Sequence, residues 1–254
     1  MRVIGHRGAC GYAPENTLAS FELALALQVD EIELDAHALE TGEVVVIHDF
    51  KVDATTNGTG YVTDYEFGNL RQLDAGDGQP IPLLTEVLDL IDGEVSVDIE
   101  LKGRNTAKSV AAIIDRYLQE GWTNDHFRVT SENLMELEIF QDILPDIRTG
   151  VVYPPARAEH FLNDARQQHT NAAILNAAYV SEVDVRMAHQ QGLEVHVYTV
   201  NDASEAERLA AMGVDAIFSN YPDIVRGYIG QSALHQPGKQ RFMRNPLTGL
   251  AAVG

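Results

Sequence analysis

Two periodicities alternate along this chain. Short runs rich in β-branched residues read as strands: Val3-Ile4-Gly5-His6, Ile32-Glu33-Leu34-Asp35, Val44-Val45-Val46-Ile47-His48 and Val95-Ser96-Val97-Asp98-Ile99-Glu100. Further runs at 126–131, 148–152, 173–175, 194–200 and 216–219 continue the series. Between them the apolar spacing turns helical. After a cap at Asn16 or Thr17, the positions Leu18, Phe21 and Leu25 form a stripe on one helix face. Similar stripes predict helices at 83–90, 107–118, 133–142, 156–168, 181–191, 203–212 and 222–229. The run 44–48 follows a turn at Thr41-Gly42-Glu43 and is either a hairpin partner of the second strand or an extension beside it.

Eight strands, each followed by a helix, predict an α/β fold, a closed (β/α)8 TIM barrel; an open doubly wound sheet is the alternative. The ionisable strand ends favour the barrel, because barrel sites lie at the carboxyl ends of the strands. That is where His6, Asp35, Glu100, Ser131 and Asn220 fall. The domain would span residues 1–229, with an insertion at about 50–82 that is rich in Gly and Pro. Residues 230–254 show no periodicity and predict a loosely ordered or surface-draped C-terminal tail.

With 254 residues, 45% of them hydrophobic, the chain can build one core of this size. No apolar run reaches the length of a membrane span, so no stable membrane insertion is expected. The first strand begins directly after Met1-Arg2, which leaves no room for a signal peptide and points to a cytoplasmic location. A lone Cys10 excludes an intramolecular disulfide and a thiolate metal site. The formal net charge of −20 disfavours nucleic acid as a partner and describes a solvated acidic surface suited to salty surroundings. An anionic substrate must then be met by local cations, for which Arg7, Lys102 and a bound metal are the candidates.

The chemistry sits on the strand ends. A spacing of two places Glu33 and Asp35 side by side on one face of their strand. Glu100 repeats the arrangement in Asp98-Ile99-Glu100-Leu101-Lys102. Oxygen ligands at this density suit Mg²⁺ or Ca²⁺ rather than zinc. Lys102 serves either as counter-ion of the carboxylates or as a phosphate contact. His6-Arg7-Gly8 places an imidazole beside a guanidinium able to clamp phosphate, and His48-Asp49 supplies a second imidazole. His37 is assigned to the Leu34 side of its strand or to the turn, away from the chemistry. No Walker-type or dinucleotide-type glycine loop is present. Two proton-transfer groups beside a carboxylate cluster make metal-assisted phosphate chemistry the expected class.

These residues lie in stretches whose order resembles the glycerophosphodiester phosphodiesterase family over roughly residues 2–229. The stretches are Gly5-His6-Arg7-Gly8, Pro14-Glu15-Asn16-Thr17, Glu33-Leu34-Asp35, Val46-Ile47-His48-Asp49, Thr55-Thr56-Asn57-Gly58-Thr59-Gly60, Ile99-Glu100-Leu101-Lys102 and Ser219-Asn220-Tyr221-Pro222. The resemblance implies a barrel with a small inserted subdomain at 50–82. It also implies His6 and His48 as acid/base pair and Glu33, Asp35 and Glu100 as ligands of a divalent cation. Arg7 and Lys102 would hold phosphate, with Glu15 and Asn16 supporting the His6 loop. The chain departs from the family pattern at Ala54, at Tyr198 and at Glu132-Asn133, positions that bear on the leaving group. The implied reaction splits a small-molecule glycerophosphodiester into glycerol 3-phosphate and an alcohol. A lysophospholipid-cleaving phosphodiesterase and a non-catalytic phosphoester-binding barrel are the alternatives.

Overall fold

The computed structural model describes residues 1–154 and 167–233. Its strands are β1 (Arg2–Gly5), β2 (Glu31–Ala38), β3 (Val44–Val46), β4 (Ser96–Leu101), β5 (Phe127–Ser131), β6 (Arg148–Tyr153), β7 (Ala172–Asn176), β8 (Glu194–Tyr198) and β9 (Ala216–Ser219). All but β3 run parallel. Neighbours pair in the order β1-β9-β8-β7-β6-β5-β4-β2, and β1 pairs again with β2, so the sheet closes into an eight-stranded barrel. The strand β3 turns back antiparallel on β2, with Ala36 opposite Val46 and His37 opposite Val45, and so is the hairpin partner. This return pairing prolongs β2 to Ala38 and brings His37 into the strand. By the two-residue alternation His37 therefore shares the face of Glu33 and Asp35, not that of Leu34.

The helices are α1 (Leu18–Ala26), α2 (Phe67–Leu70), α3 (Leu84–Ile91), α4 (Thr106–Gln119), α5 (Leu134–Ile143), α6 (Glu182–Gln190), α7 (Ala203–Met212) and α8 (Pro222–Ala233). Thr17, rather than Asn16, caps α1, its hydroxyl accepting from the Ser20 amide. Asn133, Ser181 and Asp202 cap α5, α6 and α7 in the same way. The helix α8 continues past the boundary expected at 229, to Ala233. The helix expected at 156–168 and the tail beyond 233 lie outside the described residues, apart from the helical Gln167 and the turn at Gln168. Among the described residues no helix is long and apolar enough to cross a membrane.

Period-two strands give the barrel two different surfaces. Outward-facing Ile32, Leu34, Val97, Ile99 and Val129 pack against Phe21, Leu88, Ile114 and Phe140 of the helices in the main core. The inward surface is divided. On the β6–β9 side it is mostly apolar, with Val152, Ala172, Ile174, Ala216 and Phe218 around the buried His196. On the β2–β5 side it carries Glu31, Glu33, Asp35, Asp98 and Arg128, all buried. Residues 50–82 leave the barrel after β3 and wrap a small cluster of their own, in which Val52, Val62, Leu70 and Ile81 meet Val45 and Ile47. Arg71 forks onto both carboxylate oxygens of Glu86 and ties this excursion to α3.

The amino-terminal end of the barrel interior is closed by charge. Arg128 has no exposed surface; its Nη2 donates to Glu194 at 2.8 Å and its Nε lies 3.5 Å from Glu31. Arg2 reaches the same two carboxylates, and His196 lies 3.0 Å from Glu194. Removing the central cation leaves the buried Glu31 with only Arg2 opposite it among the described residues. Arg128→Met should therefore cost about 3–5 kcal/mol of unfolding free energy in urea titrations. A loss below about 1 kcal/mol would show that the floor does not need its cation.

Candidate active site

The carboxyl end of the barrel gathers the catalytic candidates: His6 and Arg7 just after β1, Glu33 and Asp35 within β2, His48 just after β3, Glu100 within β4 and Lys102 just after it. The pairing of these strands fixes their spacing. His6 follows β1. Its Nδ1 meets the Asn220 amide oxygen at 2.7 Å, and its ring stands edge-on to Phe218. The backbone N–H of Asn220 in turn donates to Asn201 Oδ1 at 2.9 Å. Burial, and then the charge of Arg7, lowers the His6 pKa to about 4, so the ring is neutral near pH 7. His48 follows β3, and its Nδ1 is 2.7 Å from Asp49. With both Nδ1 atoms engaged, each ring is left with Nε2 for another partner. Both histidines line one cavity together with Arg7, Glu33, Glu100 and Lys102.

The loop after His6 is built to hold Arg7. Gly8 has φ +84, and a Cβ there would lie 2.4 Å from the Ser20 hydroxyl, so only glycine fits. Arg7 itself has φ 51, an uncommon backbone for a side chain of this size. Its amide donates to Glu33 at 2.8 Å, Nη1 donates to Glu15 at 2.9 Å, and Nε lies 3.3 Å from Asp35. Asn16 turns inward with φ 57 and donates its side-chain amide to Asp35 at 2.8 Å, which explains why it does not cap α1. The supporting residues Glu15, Asn16 and Asp49 thus each touch a residue of the candidate set.

Register places the carboxylates. Asp35 lies opposite Glu100 across the β2–β4 pairing, and Glu33 opposite Asp98. Glu33, Asp35 and Glu100 each offer an oxygen, all within 4.8 Å of one another. Lys102 binds Glu100 at 3.0 Å. Burial and the neighbouring Asp35 push the Glu33 pKa well up, and burial moves Glu100 up to about 7. Burial also works against Asp35, yet Arg7, His48, Lys102 and the Asn16 amide hold its carboxyl below the usual range. The second oxygen of Asp35 is buried with no hydrogen-bond partner. Three converging carboxylates, with one Asp35 oxygen left unpartnered, fit a hard divalent cation.

Several residues make contacts at the site that the sequence does not assign to them. Asn220 orients His6 from the far end of the chain. Val152, Ile174, Tyr198 and Phe218 form the apolar wall facing the charged one. His37 is buried beneath the site, its Nε2 3.2 Å from the carbonyl of His48. Cys10 is kept as a thiol: burial, with Glu15 nearby, raises its pKa to about 12.

If the cluster holds a cation, Mg²⁺ or Ca²⁺ should raise the melting temperature of the wild type, since a ligand at 100 times its Kd adds about 2.7 kcal/mol. Glu100→Gln deletes one charged oxygen at nearly constant shape and should abolish most of that gain. An equal shift in both proteins would place the cation elsewhere.

Residues 6–224 match the model of the glycerophosphoryl diester phosphodiesterase family. A glycerophosphodiester phosphodiesterase of Caldanaerobacter subterraneus is 32% identical, across 87% of this chain and 94% of the relative. One from Bacillus subtilis is 30% identical, across 87% and 84%. Among solved structures, a phosphodiesterase of Oleispira antarctica in complex with the product sn-glycerol-3-phosphate superimposes with a TM-score of 0.83 at 28% identity, covering 91% of this chain and 97% of that one. The chain belongs to the glycerophosphoryl diester phosphodiesterase family.

Proposed function

We propose that this enzyme hydrolyses glycerophosphodiesters to sn-glycerol 3-phosphate and an alcohol, with His6 and His48 as its acid/base pair. The observation that carries this reading is a cavity lined by two imidazoles, each anchored through Nδ1, and by Glu33 and Glu100 of a three-carboxylate cluster. A protein that only bound phosphoesters would have no use for two proton-transfer groups. Arg7 and Lys102 face the same cavity and supply the positive charge that a phosphodiester needs. A divalent cation, Mg²⁺ or Ca²⁺, held by Glu33, Asp35 and Glu100 would neutralise phosphate charge and lower the pKa of a substrate hydroxyl near it.

A route for the protons follows from this assignment. No serine or cysteine in the cavity is paired with a base, so the nucleophile comes from the substrate or from water. The glycerol hydroxyl next to the phosphoester is already tethered, and well-oriented intramolecular attack gains effective molarities of about 10⁵–10⁸ M. His6, neutral at pH 7, accepts the proton of that hydroxyl as its oxygen attacks phosphorus. His48, steadied by Asp49, gives a proton to the alcohol oxygen as the bond from phosphorus to that oxygen breaks. The roles then reverse. His48 takes a proton from water, the water oxygen adds to phosphorus, and His6 returns its proton to the glycerol oxygen that leaves the ring.

Each histidine should be worth at least about 10²-fold in kcat, so His6→Ala and His48→Ala should fall by that much with the fold retained. Because both serve one reaction, the double variant should lose much less than the product of the single effects. Near-normal turnover of either single variant would remove that residue from the chemistry. An analogue of glycerophosphocholine lacking the neighbouring hydroxyl separates the two nucleophiles. It should bind comparably but turn over slowly, with no cyclic phosphate visible by phosphorus NMR. Equal turnover of both compounds would mean that water attacks directly.

A further inference from the structure

The catalytic cavity opens into a second one beside it. They share Glu100, Lys102 and Glu132, and the second adds Phe50, Arg104 and Asn133. It lies on the side of His48, since Phe50 follows that residue by two positions. The apolar wall of Val152, Ile174 and Phe218 lies on the other side, where Phe218 touches the ring of His6. A diester whose phosphate sits at Arg7 and Lys102 therefore has two distinct places for its two arms. The arm whose hydroxyl loses a proton to His6 belongs on the His6 side. The alcohol protonated by His48 belongs in the second cavity.

The groups in that cavity are mixed in sign and uncommitted. Lys102 is already paired with Glu100 at 3.0 Å. Glu132 and Arg104 are both exposed, and neither makes a hydrogen bond or ion pair with another described residue. Phe50 is 57% exposed, and its ring is braced edge-on by buried His37 at 5.3 Å. Including its open mouth, the cavity spans about 930 Å³, so chemistry rather than size discriminates between alcohols.

Each class of alcohol meets these walls differently. A quaternary ammonium gains from an aromatic face but cannot donate a hydrogen bond, and here it would confront Arg104 and Lys102. The ammonium of ethanolamine or serine is drawn to Glu132 but repelled by Arg104 and Lys102. The carboxylate of serine is drawn to Arg104 but repelled by Glu132 and Glu100, so each charge meets its own sign as well as the opposite one. An alkyl chain would find a single ring. A polyol has donors for Glu132, acceptors for Arg104 and a C–H edge for Phe50, and so uses every group present. Resting on the phosphodiesterase reading above, we propose that the cavity formed by Phe50, Arg104 and Glu132 is the leaving-alcohol subsite and that it selects neutral polyhydroxy alcohols of the glycerol or inositol kind.

The test compares kcat/KM for the glycerol, inositol, choline, ethanolamine and serine glycerophosphodiesters on wild type, Arg104→Ala and Glu132→Ala. Both side chains are exposed, so the variants retain the fold. The glycerol and inositol diesters should exceed the other three by about tenfold or more in the wild type. Each substitution should shrink that ratio by about tenfold, the worth of a hydrogen bond to a charged group. Preference for the choline, ethanolamine or serine diester would overturn the proposal. So would a polyol preference that survives in both variants, or an equal loss on all five substrates. In each of those cases His6→Ala would still abolish hydrolysis, leaving the phosphodiesterase reading intact. Hydrolysis of none of the five would overturn both.

Discussion

Carboxylates buried inside a closed barrel must be balanced, and this molecule is organised around that demand. Strands β2 and β4 bring Glu31, Glu33, Asp35, Asp98 and Glu100 into the interior, side by side through the β2–β4 register. An isolated buried carboxylate is too costly to persist. At the amino-terminal end the balance comes from within the chain, where Arg128 and Arg2 sit between Glu31 and Glu194. Asp98 is settled differently. Burial and Glu31 raise its pKa to about 8, and Thr130 donates to it at 2.8 Å. The floor is thereby closed by charge pairing within the chain.

At the carboxyl-terminal end the balance is left incomplete. Arg7 and Lys102 face three carboxylates, and one oxygen of Asp35 has no partner. The same residues that partly compensate the charge also fix the catalytic geometry. Arg7 is pinned by Glu15, Glu33 and Asp35, so its loop carries His6 to a defined place above the cluster. Asn16 holds Asp35 through its side chain and contributes to the same loop through its backbone, its amide donating to the Arg7 carbonyl. In the proposed reading, this electrostatic deficit at the mouth is where a cation and an anionic diester would complete the charge balance together. This also resolves how a chain with net charge −20 meets a negative substrate: attraction is local and short-range, where solvent screens least.

Much of this was legible in the sequence because it follows from local periodicity. A spacing of two assigns Glu33 and Asp35 to one face, and β-branched runs mark where the strands end. What stayed hidden depends on closure of the sheet. Arg128 in Phe127-Arg128-Val129 looks like an ordinary outward charge until β2 and β8 bring Glu31 and Glu194 against it. The link from Asn220 to His6 spans almost the whole chain and exists only because β9 pairs with β1. His37 was misplaced because the β3 return extends β2 by residues whose own pattern does not announce a strand. The inner apolar wall was equally silent, since inward and outward apolar residues of a buried strand look alike.

The central claim is that the uncompensated carboxylates at the barrel mouth are a cation site. Anomalous diffraction from crystals grown with Mn²⁺ tests it most directly. The account predicts one strong peak at about 2.0–2.6 Å from oxygens of Glu33, Asp35 and Glu100. An empty map at those carboxylates, with the three side chains still converging, would contradict it.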